Sequence, residues 1–354
     1  MANLLVTGGA GFIGGNFVHY RSRNHPDDRL IVLDALTYAG NRLTIAGAQN
    51  AQLIEGDIRD TNLVEHLLRE HAISTIVHFA AESHVDRSIS GPDSFIDTNV
   101  CGTHSLLRAA RNAWLSGSGQ EHRFHHISTD EVYGSLGPDD PAFRETTQFA
   151  PNSPYSASKA ASDHLVRAYY HTYGLQVTTT RCSNNYGPYQ HPEKLVPLFL
   201  LNALHGRPLP IYGDGLNIRD WLHVEDHCHG IESALSKGRA GEVYNIGGGE
   251  EVPNMTVIDR ICAEVDAAFA RDRQLAVRFP DAPAAKAVPT ATLKTFVEDR
   301  KGHDRRYAVD DSKARTELAY APRHDFAKGL ATTLRWYMNN EAWWRPWQNA
   351  GKLR

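Results

Sequence analysis

The sequence predicts an α/β protein in which a doubly wound parallel sheet forms the larger part and a smaller region follows. Three observations predict this fold class. Short apolar runs alternate with helical patterns through the first half of the chain, which is typical of parallel strands joined by helices. A glycine-rich turn joins the first apolar run to the first helix. The 354 residues also exceed one ordinary domain of about 150 residues, so two domains are expected.

The period of the apolar residues predicts seven strands and five helices. The strands cover residues 4–7, 30–34, 52–55, 75–79, 124–128, 177–181 and 242–246. The helices cover residues 16–23, 62–71, 94–114, 155–173 and 257–269. Beyond residue 181 the alternation gives way to loops, so the smaller C-terminal domain is expected to be discontinuous. The predicted first domain is 1–181 and about 222–249, and the second about 182–221 and 250–354, with some of 308–325 returning to the first.

Two stretches in the second half of the chain are interpreted from their composition rather than from the period of their apolar residues. Residues 279–294 carry three prolines among alanines, which predicts an irregular surface loop. The tail carries four of the six tryptophans, which either pack a helix against the body or form a partner surface. We favour packing.

Composition excludes several classes of protein. The apolar fraction of 41% and charged fraction of 22% are near globular averages, which excludes general disorder and fibres. The net charge of −4 gives no general attraction for nucleic acid or acidic lipid, so an anionic ligand needs a local cationic site. Four widely spaced cysteines favour free thiols in a reducing compartment.

The predicted location follows from the first strand and the longest apolar stretch. The first strand begins by residue 3, which leaves no room for a leader, and the apolar stretch 195–204 is interrupted by Asn202. No membrane span is therefore predicted. We expect a cytoplasmic protein.

The first strand runs directly into the turn Gly8-Gly9-Ala10-Gly11-Phe12-Ile13-Gly14. A strand, a glycine turn and a helix in this order hold a dinucleotide, because glycines let backbone N–H groups approach the pyrophosphate at the positive end of the helix. Asp34 closes the second strand, where a carboxylate accepts from ribose hydroxyls and repels a 2′-phosphate. The constellation predicts a Rossmann-type fold that binds NAD rather than NADP.

A second group of polar residues follows the fifth strand. That strand ends in Ser128-Thr129-Asp130-Glu131, and the helix that Asn152 or Ser153 caps carries Tyr155 and Lys159 four residues apart on one face. A phenol with a pKa of about 10 needs a neighbouring cation to act as a base near neutrality. Lys159 and an oxidised nicotinamide are the expected cations.

Two pairs of histidines could in principle bind a metal ion, but neither has the required arrangement. His125 and His126 alternate along a strand, so both cannot line one site. His223 and His227 are four residues apart, but the glutamate that follows the first histidine in the metalloprotease motif is absent. We predict no metal site.

The glycine turn, the 128–131 segment and the Tyr155/Lys159 pair resemble the extended short-chain dehydrogenase/reductase superfamily. Within it, the sequence resembles the dTDP-glucose 4,6-dehydratases along nearly the whole chain. The similarity includes the segments 33–41, 80–88, 181–188, 218–221 and 303–307. The acid pair Asp130-Glu131 is the most discriminating element, because epimerases of this fold need only the hydroxyl, tyrosine and lysine.

The resemblance implies dehydration of dTDP-glucose to its 4-keto-6-deoxy product with tightly held NAD. Tyr155 takes the C4 hydroxyl proton as hydride goes to NAD, and Thr129 hydrogen-bonds the C4 oxygen. Glu131 removes the C5 proton, and protonated Asp130 delivers a proton to the departing C6 hydroxyl. Neighbouring carboxylates oppose each other's ionisation, which makes one charged and one protonated group reasonable. A related epimerase or decarboxylase, or a non-catalytic NAD-binding regulator, is the alternative.

The resemblance also implies contact residues and partners. The expected cofactor contacts are Gly8, Gly11, Phe12, Ile13, Gly14, Asp34, Leu36, Thr37, Asp57, Ile58, Ala80, Ala81, Ser83, Thr98, Tyr155, Lys159 and Asn185. The expected substrate contacts are Ser83, His84, Thr129, Asp130, Glu131, Asn184, Lys194, Leu195, Pro210, Ile211, Tyr212, Arg219, Asn254, Asp304 and Tyr307. Arg219 is the first candidate for the diphosphate. A homodimer is expected through a four-helix bundle of residues 94–114 and 155–173 of each chain.

Overall fold

The computed structural model describes residues 1–116 and 121–349. The strands are β1 (Asn3–Thr7), β2 (Arg29–Asp34), β3 (Ala51–Glu55), β4 (Thr75–His78), β5 (Arg123–Thr129), β6 (Val177–Cys182), β7 (Asn184–Tyr186), β8 (Leu209–Tyr212), β9 (Ile218–His223), β10 (Val243–Ile246), β11 (Glu251–Pro253) and β12 (Lys294–Val297). Every strand that the sequence predicts is present.

The helices fill the connections between these strands. They are α1 (Phe12–Asn24), α2 (Thr61–Glu70), α3 (Val85–Ser90), α4 (Asp93–Phe95), α5 (Thr103–Trp114), α6 (Pro154–Tyr173), α7 (Leu195–Leu204), α8 (Val224–Lys237), α9 (Asn254–Arg271), α10 (Gln274–Arg278), α11 (Ser312–Leu318), α12 (Phe326–Asn339) and α13 (Glu341–Asn349). A π-helical segment covers Ile96–Gly102, and short 3-10 turns cover Arg42–Ile45, Asp130–Tyr133, Pro283–Lys286 and Thr290–Leu293.

β1 to β6 and β10 form one parallel sheet in the order β10-β6-β5-β4-β1-β2-β3. Successive side chains of a strand point to opposite faces. Leu5 therefore belongs to the hydrophobic cluster on one face and Leu4 to the cluster on the other. The winding reverses between β1 and β4, and ligands of such sheets bind at the carboxyl ends of the strands beside that point. The predicted doubly wound parallel sheet is confirmed.

α6 begins and ends where its sequence provides caps. The Ser153 side chain accepts a hydrogen bond from the Ser156 nitrogen at 3.0 Å, and the Ser156 hydroxyl accepts one from the Ser153 nitrogen. Pro154 occupies the first turn, where its missing N–H costs nothing. Gly174 ends the helix in the left-handed conformation with φ of 77°. These caps fix the rotation of the helix that carries Tyr155.

The predicted helix 94–114 is not a single α-helix. The chain instead forms the π segment Ile96–Gly102 between α4 and α5. Within it, the Asn99 side chain accepts from the Glu82 nitrogen at 2.9 Å and donates to Ser158 Oγ at 2.8 Å. The wider turn lets Asn99 connect the loop after β4 to α6, a constraint that apolar periodicity does not reveal.

The smaller region is built on two short sheets and one core. β7, β9 and β11 form a mixed sheet, and β8 pairs in parallel with β12. The core packs α7, α9, α12 and α13 together and includes Trp343, Trp344 and Trp347. Trp344 is completely buried. The tail tryptophans therefore pack on the body, as predicted.

Residues 279–294 do not form the irregular surface loop that their prolines predict. The segment contains two 3-10 turns and leads into β12, and it buries Phe279 and Thr290. The Thr290 nitrogen donates to Asp266 of α9 at 3.0 Å. Pairing with β8 and bonding to α9 order this segment, and both are contacts between distant parts of the chain.

We propose to keep the predicted division into domains, because the packing supports it. β10 lies beside β6 in the large sheet, α8 packs on α1, and α11 packs on α8 and β10. β9 belongs to the smaller sheet. Residues near 308–325 therefore contact the first domain, as the sequence suggests.

No described helix is both long and apolar enough to cross a membrane. All four cysteines are free thiols. Cys182, Cys228 and Cys262 are buried, whereas Cys101 is exposed on the π segment.

Candidate active site

Two adjoining cavities lie at the carboxyl edge of the large sheet. The first, of about 350 Å³, extends from the glycine turn past the ends of β2, β4 and β5. The second, of about 250 Å³, lies between that edge and the smaller region. Both are lined by Ser83, Glu131, Asn184, Asn185, Gln190 and Lys194. A ligand that fills both cavities would therefore pass Glu131.

The glycine turn presents backbone rather than side chains to the first cavity. Gly8 has a φ of 69°, and a Cβ there would lie 2.6 Å from the Ala80 nitrogen. α1 begins after Gly11, which provides no side-chain cap. The N–H groups of its first turn are therefore available to an anion. This cradle fits the pyrophosphate of a dinucleotide.

Asp34 is held at the end of β2 by two backbone donors. Its Oδ2 accepts from the Ala10 nitrogen at 2.9 Å and its Oδ1 from the Leu36 nitrogen at 2.8 Å. Burial raises the pKa of Asp34, and the two backbone N–H groups oppose that rise. Each carboxylate oxygen keeps a second lone pair, which fits the predicted contact with ribose hydroxyls.

Leu36 is the one member of the predicted cofactor set that does not line the first cavity. Its φ of 49° turns the chain so that its N–H meets Asp34, so its part in the site is through the backbone. The other predicted cofactor contacts all line the first cavity. Sequence reasoning missed Tyr38, which also lines it and lies 4.2 Å from the Arg87 guanidinium. Its place inside the family-like segment 33–41 was the available signal.

Thr129, Asp130 and Glu131 lie where β5 ends and a 3-10 turn begins. Thr129 Oγ1 accepts from the Glu131 nitrogen at 3.3 Å and donates to Asp130 Oδ1 at 3.3 Å. Asp130 is only 2% exposed. The strand end thus points both carboxyl groups towards the first cavity.

The two neighbouring carboxyl groups have different electrostatic surroundings. Burial first, then the charges of Glu131 and Asp220, raise the pKa of Asp130 well above its usual value. Burial also raises the pKa of Glu131, but Lys194 and Arg219 oppose that rise. These surroundings favour the protonated form more at Asp130 than at Glu131.

Tyr155 and Lys159 face the first cavity from α6. Lys159 Nζ donates to the Ile127 carbonyl at 2.8 Å, and burial lowers the pKa of Lys159 to about 8. Burial and the Glu131 charge raise the pKa of Tyr155 well above 10, and a hydrogen bond with the Thr129 hydroxyl opposes this. The Thr129 hydroxyl thus lowers the pKa of Tyr155 and favours its phenolate form. The cationic help expected from Lys159 and an oxidised nicotinamide stays a prediction.

Beneath Lys159 lies a buried charged network. Asp163, one turn further along α6, accepts from Arg181 Nε at 2.8 Å and lies 3.2 Å from His126 Nε2. His125 instead contacts Thr178 and Thr180. The two histidines therefore face opposite sides of the sheet, as predicted.

All of the predicted substrate contacts line one of the two cavities. Arg219 is buried, donates to the carbonyls of Ile218 and Asp304 at 2.8 Å each, and lies 4.4 Å from the Tyr307 ring centroid. Lys194 Nζ donates to the Ser83 carbonyl at 2.8 Å. These contacts hold two cationic side chains in fixed positions against the second cavity.

A third cation at this cavity was missed from the sequence. Arg300 lines the second cavity, lies 2.6 Å from Asp86 Oδ1 through its Nε, and is 5.4 Å from the Tyr212 ring centroid. It belongs to the segment after β12 and no motif marks it. The pairing of β12 with β8 brings it beside Tyr212. The local cationic cluster that the net charge called for thus includes Lys194, Arg219 and Arg300.

His223 and His227, four residues apart in the sequence, have different neighbours in the fold. His227 Nδ1 lies 2.9 Å from Asn185 Oδ1. His223 stacks on His324 with 3.9 Å between ring centroids, and ligand atoms of His223, Glu225 and His324 lie within 4.8 Å of one another. His223 Nδ1 already accepts from the Glu225 nitrogen. His223 therefore groups with Glu225 and His324 rather than with His227.

Comparison with known proteins gives a consistent family. The family model described as GDP-mannose 4,6 dehydratase matches residues 5–333. The chain is 53% identical over 350 residues to a dTDP-glucose 4,6-dehydratase of Xanthomonas campestris pv. campestris (strain B100), covering 97% of this chain and 95% of the relative. It is 50% identical to one of Neisseria meningitidis serogroup B, covering 98% and 96%.

Solved structures agree with this. A Streptomyces venezuelae dTDP-glucose 4,6-dehydratase with NAD and TYD bound superposes with a TM-score of 0.85 and 49% identity, covering 97% of this chain and 99% of that one. A Thermus thermophilus UDP-glucose 4-epimerase in complex with NAD gives a TM-score of 0.81 and 27% identity, covering 96% and 99%. The fold is therefore shared with epimerases, and the residues of the site must distinguish the two reactions.

Proposed function

The chain belongs to the nucleotide-sugar 4,6-dehydratase family that the GDP-mannose 4,6 dehydratase model describes, and from this premise we propose that it removes water from dTDP-glucose to form the 4-keto-6-deoxy sugar nucleotide. One observation carries the proposal: the chain places the buried carboxyl group of Asp130 directly beside that of Glu131 where the two cavities meet. Elimination of water needs such an acid and base together. Epimerisation at C4 does not.

The first cavity would hold NAD through the glycine cradle and Asp34. Bound NAD supplies the acceptor, and later the donor, of the hydride that leaves C4 and arrives at C6. The chain's own part there is to bind the pyrophosphate with backbone N–H groups and the ribose with a carboxylate. Relatives with NAD bound support this choice.

The proton transfers belong to side chains at the junction. Tyr155 Oη removes the proton of the C4 hydroxyl while Thr129 Oγ1 positions the C4 oxygen. Once C4 is a ketone, the C5 proton becomes acidic and the Glu131 carboxylate removes it. Asp130 gives its proton to the C6 oxygen, which leaves as water, and Glu131 then returns its proton to C5.

The second cavity would hold the nucleotide diphosphate. Lys194, Arg219 and Arg300 supply positive charge at its wall, which a diphosphate needs in a chain of net charge −4. Tyr212, with Pro210 and Ile211 beside it, offers an aromatic and apolar surface for the base. The cavity alone does not exclude other nucleotides, so the choice of dTDP rests on the relatives.

The product's mass tests the proposed function. Incubation of the purified protein with dTDP-glucose and NAD is expected to give a product lighter by one water. An unchanged mass with inverted C4 would indicate an epimerase, and no reaction with several donors would indicate a regulator.

The Glu131→Gln variant tests the base. It is expected to lose about 10²- to 10⁴-fold in turnover, the usual contribution of a general base, with NAD affinity unchanged. Glu70→Gln on the exposed end of α2 makes the same chemical change away from the site and is expected to have normal turnover. Normal turnover in Glu131→Gln would contradict the assigned role.

We also propose a homodimer through the predicted bundle, now comprising α5, the π segment and α6. Ile96 and Tyr173 are 47% and 45% exposed on these helices, where the helices of a second copy would cover them. Light scattering at micromolar concentration is expected to give twice the chain mass. Ile96→Asp is expected to shift the protein to the monomer, and Val277→Asp, 74% exposed elsewhere, is not. A wild-type monomer would contradict the proposal. The cytoplasmic location stays a prediction.

A further inference from the structure

A segment between β2 and β3 forms one wall of the first cavity. Residues 35 and 37–40, which follow Asp34, line that cavity. None of them belongs to a helix or a strand. A wall without regular secondary structure keeps its shape only if contacts from other parts of the chain hold it.

Asn41 fastens the end of this wall. Its backbone nitrogen donates to the Ala10 carbonyl of the glycine turn at 3.0 Å. Its side-chain oxygen accepts from the Leu43 nitrogen at 3.0 Å and caps the 3-10 turn Arg42–Ile45. The position of that 3-10 turn therefore determines where the wall meets the glycine turn.

The C-terminal helix α13 holds the 3-10 turn. Trp343 Nε1 donates to Thr44 Oγ1 at 3.1 Å, across 299 positions of the chain. The Trp343 carbonyl accepts from Asn41 Nδ2 at 3.4 Å. Thr44 and Trp343 are 1% and 6% exposed, so water does not readily replace the bond between their side chains. Trp343 thus contacts both the turn and the residue that fastens the wall.

The Trp343 ring is itself fixed by other aromatic rings. Its centroid lies 5.5 Å from that of Tyr189, 5.4 Å from that of Trp336 and 4.8 Å from that of Trp347. Trp347 in turn lies 5.2 Å from His191, which lines the first cavity. Helix α13 therefore supports the first cavity from two sides.

We propose that Trp343 is a positioning residue for NAD, which holds the wall of residues 35–40 through Thr44 and Asn41. This inference rests on the proposed NAD site in the first cavity and not on the dehydration of dTDP-glucose. A wall that is already ordered loses less conformational freedom when the cofactor binds. The contacts of the C-terminal helix therefore make NAD bind more tightly and leave more slowly.

The test measures the release of NAD from the holoenzyme of Trp343→Phe. Phenylalanine keeps an aromatic ring and removes the N–H donor. The protein is loaded with radiolabelled NAD, and the label is chased with excess unlabelled NAD. Release is expected to be about 3- to 10-fold faster than in wild type, the effect of one neutral hydrogen bond.

Thr44→Val removes the same hydrogen bond from its other end. Valine keeps the shape of threonine and lacks the hydroxyl that accepts from Trp343. Its release of NAD is expected to be accelerated about as much as in Trp343→Phe. Because one bond can be lost only once, the double variant is expected to be no faster than either single variant.

Trp344→Phe is the matched control. Trp344 is the next residue of α13, is completely buried, and donates from Nε1 to the Tyr337 carbonyl at 2.8 Å. The replacement removes an indole hydrogen bond from the same core without reaching the 3-10 turn. It is expected to lower the urea midpoint of unfolding, as Trp343→Phe does, and to release NAD at the wild-type rate.

Hydrogen exchange in the NAD-free protein reports on the wall itself. The Asn41 nitrogen donates to the Ala10 carbonyl and the Thr44 nitrogen to the Asn41 carbonyl. Both amides are expected to exchange faster in Trp343→Phe than in wild type, and to be unchanged in Trp344→Phe. A defect confined to the packing of the core would not select these amides.

The outcomes separate this inference from the proposed function. Wild-type release in Trp343→Phe and Thr44→Val would overturn it, as would equal acceleration in Trp344→Phe. Accelerations that multiply in the double variant would show that the two side chains act separately, which also contradicts it. A wild-type protein that binds no NAD would remove the NAD site and this inference together. A protein that retains NAD but forms no dehydrated product would overturn the proposed function alone, and the release rates would still decide the role of Trp343.

Discussion

The two cavities offer an anionic ligand different kinds of hydrogen-bond donor. The cofactor side uses backbone, because the turn from Gly8 to Gly14 and the start of α1 present N–H groups to the first cavity. The nucleotide side uses side chains, because Lys194, Arg219 and Arg300 supply its charge. The first arrangement comes from one continuous stretch of sequence. The second comes from three segments that meet only when the smaller region folds.

The difference predicts different sensitivities to mutation. A backbone cradle fails when a side chain is added, since Cβ atoms would occupy the space of the turn. A cluster of cations fails when one charge is removed, and its neighbours keep part of the binding. Adding a single methyl group to a glycine of the turn should therefore weaken NAD binding most. Removing one positive charge should weaken nucleotide binding.

Gly8→Ala is expected to have the largest effect. The left-handed backbone costs an alanine about 1–2 kcal/mol, and its Cβ would also lie 2.6 Å from the Ala80 nitrogen. The turn must shift, so NAD affinity is expected to fall by about tenfold or more. Isothermal titration with NAD and a denaturant unfolding curve measure the two effects.

The matched control for this change is Gly47→Ala. Gly47 has a φ of 96° and nothing within 4 Å of an added Cβ, so it carries the backbone cost without the contact. It is expected to lose about 1 kcal/mol of stability with normal NAD affinity. If Gly8→Ala and Gly47→Ala bound NAD equally well, the turn at Gly8 would not be needed for NAD binding, and the proposed backbone cradle of the first cavity would be wrong.

Arg219→Met is expected to have the next largest effect. The guanidinium is buried beside the second cavity, Glu131 and Tyr307, and a hydrogen bond to a charged group contributes about 1.5–3 kcal/mol. KM for dTDP-glucose is expected to rise about 10- to 100-fold. NAD affinity is expected to stay normal, because the first cavity does not include this residue.

Arg305→Met provides the comparison for that variant. Arg305 pairs with Asp214 on the surface, where both side chains are about half exposed, and such pairs contribute about 0–1 kcal/mol. Its KM is expected to change less than about fivefold. If Arg219→Met weakened NAD binding as much as it raised KM for dTDP-glucose, the two cavities would act as one coupled site rather than as two independent binding sites.

The sequence-based predictions agree with the structure where a feature depends on one continuous stretch of the chain. They fail where it depends on contacts between distant segments. The seven strands of the large sheet, α1, α6 and the glycine turn were predictable because apolar period, caps and glycine positions are local properties. The segment 279–294 was mispredicted because its order depends on β8 and α9. Leu36 was predicted as a cofactor contact, and its backbone nitrogen donates to Asp34, a local contact that the apolar pattern does not reveal. The π segment at Asn99 depends on contacts with Glu82 and Ser158.

The sequence by itself determined the fold class, the choice of NAD and the position of the Asp130-Glu131 pair at the end of β5, because each depends on residues adjacent in the chain or at one strand end. The tertiary structure decided which charges share a cavity and what surrounds each carboxyl group. Burial and two other carboxyl groups, one of them Asp220 from β9, raise the pKa of Asp130. Burial also raises the pKa of Glu131, but Lys194 and Arg219 oppose that rise. Electrostatic environment is set by distance through space, which chain order does not specify.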